Sequence, residues 1–154
     1  MKIRHLALAV ATASSLFLAP AAHADNKAIA IDEMEAYFEF VEVGGGVILA
    51  EQIPQGDWAK MVVIDARDAS QFAKGHIPGA INIEWRQVLA KRDQIPRDKT
   101  VLIYCNTGSR SAQAGFALRV AGWDNVRILQ GGIDGWKARG GFEASRHAAE
   151  QAKN

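Results

Sequence analysis

A lone cysteine stands at the end of an apolar run in this sequence. Cys105 is the only cysteine among 154 residues. It follows the apolar residues "VLIY" (101–104) and precedes the polar residues "NTGSRS" (106–111). A chain with one cysteine has no partner for a disulfide within itself. The thiol is therefore a buried apolar group, half of a bridge to another molecule, or a reactive nucleophile.

The residues after Cys105 have the composition of an anion-binding turn. Gly108 allows the backbone to turn sharply, and Arg110 adds a positive charge. The hydroxyls that could donate hydrogen bonds or cap a helix belong to Thr107, Ser109 and Ser111. An apolar face over residues 111–121 predicts a helix behind the loop, whose unpaired N–H groups would favour an anion. Because such surroundings stabilise a thiolate, they favour a reactive Cys105 with a lowered pKa.

Short apolar runs alternate with helical patterns along the chain. Runs typical of buried strands cover residues 47–50, 61–65, 100–105 and 126–129. Helices are predicted over 69–74, 85–91, 111–121 and 133–139, and a loop over 54–57. A further helix before the first strand is predicted from the spacing of Ile31, Met34, Tyr37, Phe38 and Val41. This alternation predicts an α/β domain with a mainly parallel sheet, whose functional residues follow the carboxyl ends of strands.

The first 24 residues have the three parts of a secretory signal peptide. Lys2 and Arg4 form a positive start, residues 6–18 an apolar core, and Ala22-His23-Ala24 a cleavage site. A membrane anchor needs about 20 apolar residues. This run is interrupted by Thr12, Ser14, Ser15 and Pro20. We therefore expect cleavage and a periplasmic protein that is not attached to the membrane.

The expected mature chain is a single domain over residues 25–154, with a core of about 29–143 and a frayed C-terminal tail over 144–154. Cleavage removes two of the 18 Lys and Arg residues and leaves 16 against 17 Asp and Glu residues, a net charge near −1. No basic run is present to bind nucleic acid. We therefore expect no nucleic-acid partner.

Three segments resemble the rhodanese (sulfurtransferase) family. They are "VVIDARDASQFAKGHIPGAINI" (62–83), "YCNTGSRS" (104–111) and "VRILQGGIDGWKARGG" (126–141), in the order of the family. The resemblance implies a single rhodanese-like α/β domain, with a central parallel five-stranded sheet and helices on both faces. It also implies transfer of sulfane sulfur through a Cys105 persulfide. The loop that would bind substrate and persulfide consists of Asn106, Thr107, Gly108, Ser109 and Arg110.

The same resemblance implies partners for this chemistry. The donor would be thiosulfate or another sulfane compound, the acceptor a thiol or cyanide, and no metal or organic cofactor is needed. Thiosulfate enzymes of the family often carry basic residues at the second and third loop positions. Here Asn106 and Thr107 are neutral, and the positive charge comes from Arg110.

Two alternatives to a sulfurtransferase stay open. Related folds with a Cys-x5-Arg loop bind phosphate or arsenate, as in dual-specificity phosphatases and some arsenate reductases. The Cys-x4-Arg loop from Cys105 to Arg110 is one residue shorter, which suits a sulfur atom better than a tetrahedral oxyanion. The second alternative is a non-enzymatic rhodanese module that carries sulfur or binds a partner. Loss of the cysteine would favour that alternative, and Cys105 is present.

Other polar residues near the motifs are interpreted as structural or as parts of the entrance. Asp65 and Arg67 follow a strand and would brace the adjoining loop through charge-assisted hydrogen bonds. His76 lies in a Gly- and Pro-containing turn and is assigned a structural role. Trp85 and Arg86 are candidates for the mouth of the site, and a surface helix start is the alternative. Close packing is expected of Gly131, Gly132 and Trp136.

Overall fold

The computed structural model describes residues 19–153. Most of the predicted signal peptide, residues 1–18, lies outside the described residues. In chain order the helices and strands are α1 (Ala19–Phe40), β1 (Val47–Ile48), β2 (Val62–Asp65), α2 (Ala69–Lys74), β3 (Ile81–Asn82), β4 (Val101–Tyr104), α3 (Ser109–Val120), β5 (Val126–Leu129), α4 (Gly132–Ala138) and α5 (Ala144–Gln151). Short 3₁₀ helices lie at Ala50–Gln52, Gln55–Lys60, Trp85–Gln87, Arg92–Gln94 and Gly141–Glu143.

The five strands form one parallel sheet in the order β1-β5-β4-β2-β3. The central strand β4 is buried on both faces, because residues 101–104 are all buried and apolar in character. Parallel strands connected through helices require this double coverage. The sheet therefore places the carboxyl end of β4, where Cys105 follows, at the middle of one sheet edge.

Successive residues of β4 contribute to different cores. Val101 and Ile103 pack with α3 on one face, where Leu118 is fully buried. Leu102 and Tyr104 pack on the other face, with Ile133 of α4 among their neighbours. Burial of one aliphatic side chain contributes about 1.5–3 kcal/mol to the free energy of unfolding. The predicted fold, a five-stranded parallel sheet with helices on both faces, is confirmed.

Several predicted elements match the structure closely. The strand over 126–129 and the helix over 69–74 have the predicted bounds. The strands predicted over 61–65 and 100–105 are shorter by one or two residues. The helix predicted before the first strand appears as α1, and the strand predicted over 47–50 appears as β1, two residues shorter. Residues 19–24 of the predicted signal peptide belong to α1.

Three local predictions are wrong. Residues 85–91 form a 3₁₀ turn at Trp85–Gln87 and no α-helix, and Val88 directly after it turns into the core with 2% exposure. The loop expected at 54–57 belongs largely to the 3₁₀ helix Gln55–Lys60, which buries Trp58. Residues 144–151 are not frayed: they form α5, because Ala144 is buried and Arg146 pairs with acidic side chains on the same helix surface.

α1 contacts the rest of the domain through its last turns. The ring of Tyr37 lies 5.2 Å from that of Phe116 in α3, edge to face, and Arg119 donates from Nε to the Tyr37 hydroxyl at 3.3 Å. Phe38 and Phe40 remain 65% and 80% exposed. Within residues 19–153, no helix combines the length and the apolarity needed to cross a bilayer.

Candidate active site

Cys105 lies one residue beyond β4, at the carboxyl edge of the sheet. Its side chain is buried, with 3% exposure. Cys105 is therefore buried, as an inert apolar thiol would be. Its sulfur, however, makes polar contacts, which an inert apolar thiol would not need. The backbone N–H of Gly108 donates to Sγ at 3.2 Å, and the Ser111 hydroxyl lies 3.6 Å from Sγ.

The loop turns back on the sulfur because of Gly108. This residue has φ of 108°, a conformation that L side chains rarely adopt, and it directly precedes α3. The Ser111 hydroxyl lies 3.0 Å from the Gly108 carbonyl as well as near Sγ, and its single proton can be donated to either. The fully buried Ser111 therefore connects the first turn of α3 to the thiol.

The environment of Cys105 lowers the pKa of its thiol. Burial alone would raise that pKa, since it disfavours the charged thiolate. The backbone N–H and hydroxyl of Ser111, and the N–H groups of Gly108 and Arg110, oppose burial by hydrogen bonding to the thiolate. Their sum outweighs burial, so the pKa lies below the ordinary value of 9.0. A lowered pKa increases the thiolate fraction near neutral pH, and the thiolate is the nucleophile.

α3 begins closer to the cysteine than the sequence predicts. Ser109 and Arg110 form its first turn, whereas the predicted helix begins at Ser111. The early start follows from Gly108, which ends the loop and serves as the N-cap. Arg110 and Thr107 have exposed side chains. The positive charge of Arg110 thus lies at the solvent side of the loop.

A buried ion pair stands beside the loop. Arg67 donates from Nε and Nη2 to the carboxylate of Asp65, with the shortest contact at 2.5 Å, and from Nη2 to the Gly75 carbonyl at 2.7 Å. Its Nη1 donates to the side-chain oxygen of Asn106 at 3.3 Å. Asp65 and Arg67 are expected to brace the adjoining loop, and this role stays a prediction. The guanidinium of Arg67 reaches Asn106 in the cysteine loop.

The sequence interpretation missed the hydroxyl of Tyr104. This side chain is fully buried, donates to Oδ2 of Asp65 at 2.7 Å and accepts from the Ile77 N–H at 3.0 Å. Burial raises the pKa of Tyr104, which keeps the hydroxyl protonated as a donor. A tyrosine in an otherwise aliphatic strand was the available signal, because a buried hydroxyl needs a hydrogen-bond partner.

The loop also rests on the start of α4. Ile133 donates its N–H to the Cys105 carbonyl at 2.9 Å, and Asp134 donates to the Asn106 carbonyl at 3.1 Å. Gly131 and Gly132 precede these donors with φ of 77° and 57°. The close packing expected of the two glycines is therefore packing against the cysteine loop.

Trp85 and Arg86 lie at a cavity of about 300 Å³ beside α3. The residues that line this cavity are Trp85, Arg86, Val88, Leu89, Gln113, Ala114 and Ala117, which do not include the cysteine loop. Arg86 is exposed and pairs with Glu84 at 2.9 Å. Their role at a mouth stays a prediction.

His76 makes the contacts of a turn residue. Its ring stacks on Phe72 with centroids 3.9 Å apart, and its Nδ1 lies 2.9 Å from the Phe72 carbonyl oxygen. Within the part of the chain that the structure describes, no three His, Cys, Asp or Glu side chains are grouped so as to hold a metal ion.

The fold and the cysteine loop together define a class: a parallel α/β domain with a thiol held at a helix N-terminus. Residues 48–139 match the family model of the rhodanese-like domain. The chain belongs to the rhodanese-like family.

Curated relatives and a solved structure resemble the chain over most of their own length. A sulfurtransferase of Allochromatium vinosum is 34% identical over 84 residues, which are 54% of this chain and 78% of the relative. The thiosulfate sulfurtransferase GlpE of Pseudomonas putida is 35% identical over 89 residues, 58% of this chain and 81% of the relative. A rhodanese-related protein from Thermoplasma volcanium has a TM-score of 0.57 and 29% identity, covering 62% of this chain and 93% of that protein. Family and relatives support sulfurtransferase-type activity as the general class.

Proposed function

We propose that this protein transfers sulfane sulfur from a donor such as thiosulfate to a thiophilic acceptor through a persulfide on Cys105. The observation that carries the proposal is the environment of the sulfur. Sγ accepts a hydrogen bond from the Gly108 N–H at 3.2 Å and lies 3.6 Å from the Ser111 hydroxyl. These surroundings lower the pKa of the thiol. A nucleophilic thiolate requires this kind of stabilisation.

The first half-reaction is attack on the outer sulfur of the donor. The Cys105 thiolate forms an S–S bond to that sulfur, and the S–S bond of thiosulfate breaks, with its electron pair leaving on sulfite. The product is a Cys105 persulfide with a negative charge on its outer sulfur. No proton is consumed in this step, so the initial thiolate fraction governs its rate.

The loop N–H groups suit the persulfide anion. Oriented backbone N–H groups at a helix N-terminus stabilise negative charge without reorganising. Asn106 to Arg110 supply these groups, and the exposed Arg110 would attract an anionic donor. In the second half-reaction, a thiol or cyanide takes the outer sulfur and regenerates the thiolate. We place this reaction in the periplasm, on the basis of the signal peptide predicted over residues 1–24.

The decisive experiment is intact mass after incubation with thiosulfate, combined with thiocyanate formation from cyanide. Wild-type protein is expected to gain about 32 Da, the mass of one sulfur atom, and to form thiocyanate. Cys105→Ser is the matched control and should do neither. If no sulfane donor adds sulfur to the wild type, the proposal fails.

The same assays separate the alternatives. A sulfur-carrying module would gain about 32 Da but would not turn over with cyanide or thiols. A phosphatase would hydrolyse p-nitrophenyl phosphate and would gain no sulfur. Either result would replace the proposed activity.

The role proposed for Arg110 has its own test. Arg110→Ala is expected to raise the KM for thiosulfate by about tenfold, and to change the KM for an uncharged organic trisulfide donor much less. Arg92→Ala, at an exposed arginine outside the site, is the control for a general change in net charge. Equal losses with both donors would contradict steering by Arg110.

A further inference from the structure

The first turn of α4 holds the peptide groups of the cysteine loop from behind. The Ile133 N–H binds the Cys105 carbonyl at 2.9 Å and the Asp134 N–H binds the Asn106 carbonyl at 3.1 Å. These two carbonyls belong to the consecutive peptide groups Cys105–Asn106 and Asn106–Thr107. Two neighbouring residues of α4 thus fix the two peptide planes that follow Cys105.

Because peptide groups are planar, holding these two carbonyls also fixes the direction of the N–H groups in the same peptides. In a planar trans peptide the carbonyl and the N–H point in opposite directions. Because both carbonyls point to α4, the N–H groups of Asn106 and Thr107 point away from it. Neither of these N–H groups donates to a backbone carbonyl within residues 19–153. They remain available to a ligand of the loop.

This arrangement leaves no room for a side chain at residue 132. A Cβ placed on Gly132 would lie 2.4 Å from the Cys105 carbonyl oxygen and 2.4 Å from that of Asn106. Both atoms are backbone, so the clash cannot be relieved by moving a flexible side chain. A side chain at this position would force the first turn of α4 and the loop apart.

We propose that Gly132 is a positioning residue for the cysteine loop: the absence of a side chain lets α4 hold the Cys105 and Asn106 carbonyls, and this anchoring sets the path of the loop that brings the Gly108 N–H to the sulfur of Cys105. Gly132 acts through the loop and touches no reactant. The benefit to persulfide rests on the proposed sulfur transfer. The orientation of the loop and its effect on the Cys105 thiolate do not depend on the proposed sulfur transfer.

The test measures the pH profile of Cys105 alkylation by iodoacetamide, which reports the thiol pKa without any sulfur transfer. Gly132→Ala is expected to raise that pKa and to slow alkylation at neutral pH by about tenfold. Gly79→Ala is the matched control: Gly79 has φ of 84°, but a Cβ there meets nothing within 4 Å. It should leave the profile unchanged. An unchanged profile in Gly132→Ala, or an equal shift in Gly79→Ala, overturns the proposal.

A second pair of variants decides the matter if Gly132→Ala does not fold. Asp134→Pro removes the N–H that binds the Asn106 carbonyl, at an exposed position in the first turn of α4, where no hydrogen bond within the helix is lost. Asp134→Ala removes the same carboxylate but keeps the N–H. Slower alkylation in Asp134→Pro than in Asp134→Ala supports the proposal, and equal profiles overturn it.

Sulfur transfer is measured separately on the same variants. If the wild type never gains about 32 Da, while Gly132→Ala still shifts the alkylation profile, the proposed function fails and the positioning role stands. If the wild type gains sulfur and the profile does not shift, the positioning role alone fails.

Discussion

Nη1 of Arg67 donates a hydrogen bond to the side-chain oxygen of Asn106 at 3.3 Å. This contact joins the end of β2 to the cysteine loop after β4. The same guanidinium is paired with the buried carboxylate of Asp65. Asp65 also accepts from the Tyr104 hydroxyl at 2.7 Å. A connected set of polar groups therefore runs from the interior between β2 and β4 to the residue that follows Cys105.

Arg67→Ala is expected to lower the free energy of unfolding by about 3–5 kcal/mol. The reason is that the substitution leaves the fully buried Asp65 carboxylate without its counter-charge. Urea unfolding followed by circular dichroism measures the change. Arg86→Ala is the control, because it removes an ion pair with an exposed arginine and should cost less than about 1 kcal/mol. Similar losses in the two variants would contradict a structural role of the buried pair.

Ser111→Ala is expected to raise the pKa of the Cys105 thiol. The substitution removes the hydroxyl that lies 3.6 Å from Sγ and helps to stabilise the thiolate. Alkylation by iodoacetamide near neutral pH should slow by about three- to tenfold, because the usual net contribution of one hydrogen bond is about 0.5–1.5 kcal/mol. Ser109→Ala is the matched control, since that hydroxyl is exposed in the same turn of α3. Identical alkylation profiles in both variants would exclude the role of the Ser111 hydroxyl.

Cys105 should also make stability depend on pH. Its pKa in the folded protein lies below the ordinary value of 9.0 that applies to the unfolded chain. Between the two pKa values the unfolded state binds more protons, so this contribution to stability rises with pH. It is fully present above the unfolded pKa and is lost as pH falls through the folded pKa.

The measurement is urea unfolding of wild type and Cys105→Ser at a series of pH values. The unfolding free energy of the wild type relative to the variant is expected to increase as the pH is raised toward 9.0, the pKa of the unfolded thiol, and to level off above it. The comparison of two variants cancels the other titrating groups. A constant difference would show that the folded protein does not favour the thiolate.

Sequence patterns predicted the parts of the structure that are local. β4 is a continuous apolar run, and β2 and β5 are apolar apart from Asp65 and Arg127. A cysteine followed by small polar residues and glycine indicated the reactive loop without any contact being known. The roles of Tyr104 and Gly132 could not be predicted in this way. They depend on Asp65 and Cys105, partners that are 39 and 27 residues away and come close only through the sheet.

The wrong helix over 85–91 has a similar cause. The spacing of Trp85, Val88 and Leu89 fits a helix, but Val88 and Ile95 are both drawn into the core beneath α3, with 2% and 4% exposure. The chain meets that core with two short 3₁₀ turns. Tertiary packing overrides the local pattern here, as it often does for short segments.

Gly115 sets the distance between α3 and the sheet. A Cβ on Gly115 would lie 2.7 Å from Cγ1 of Ile128 in β5 and 3.0 Å from its Cδ1. Gly115→Ala gains about 1 kcal/mol of helix propensity. It also overpacks the core, at a cost of about 1–3 kcal/mol, and displaces the helix whose first turn faces Cys105.

We therefore expect Gly115→Ala to lower the free energy of unfolding by up to about 2 kcal/mol, measured by urea unfolding. Ile128→Ala removes the side-chain atoms that the added methyl group would meet. Because the two positions share one contact, the double variant should be more stable than the sum of the single losses predicts. Strict additivity, or a more stable Gly115→Ala protein, would show that α3 has room to accept the methyl group. The pH profile of Cys105 alkylation can be measured on the same variants. A profile that shifts in Gly115→Ala and returns to that of the wild type in the double variant would show that the packing of α3 on β5 affects the Cys105 thiolate.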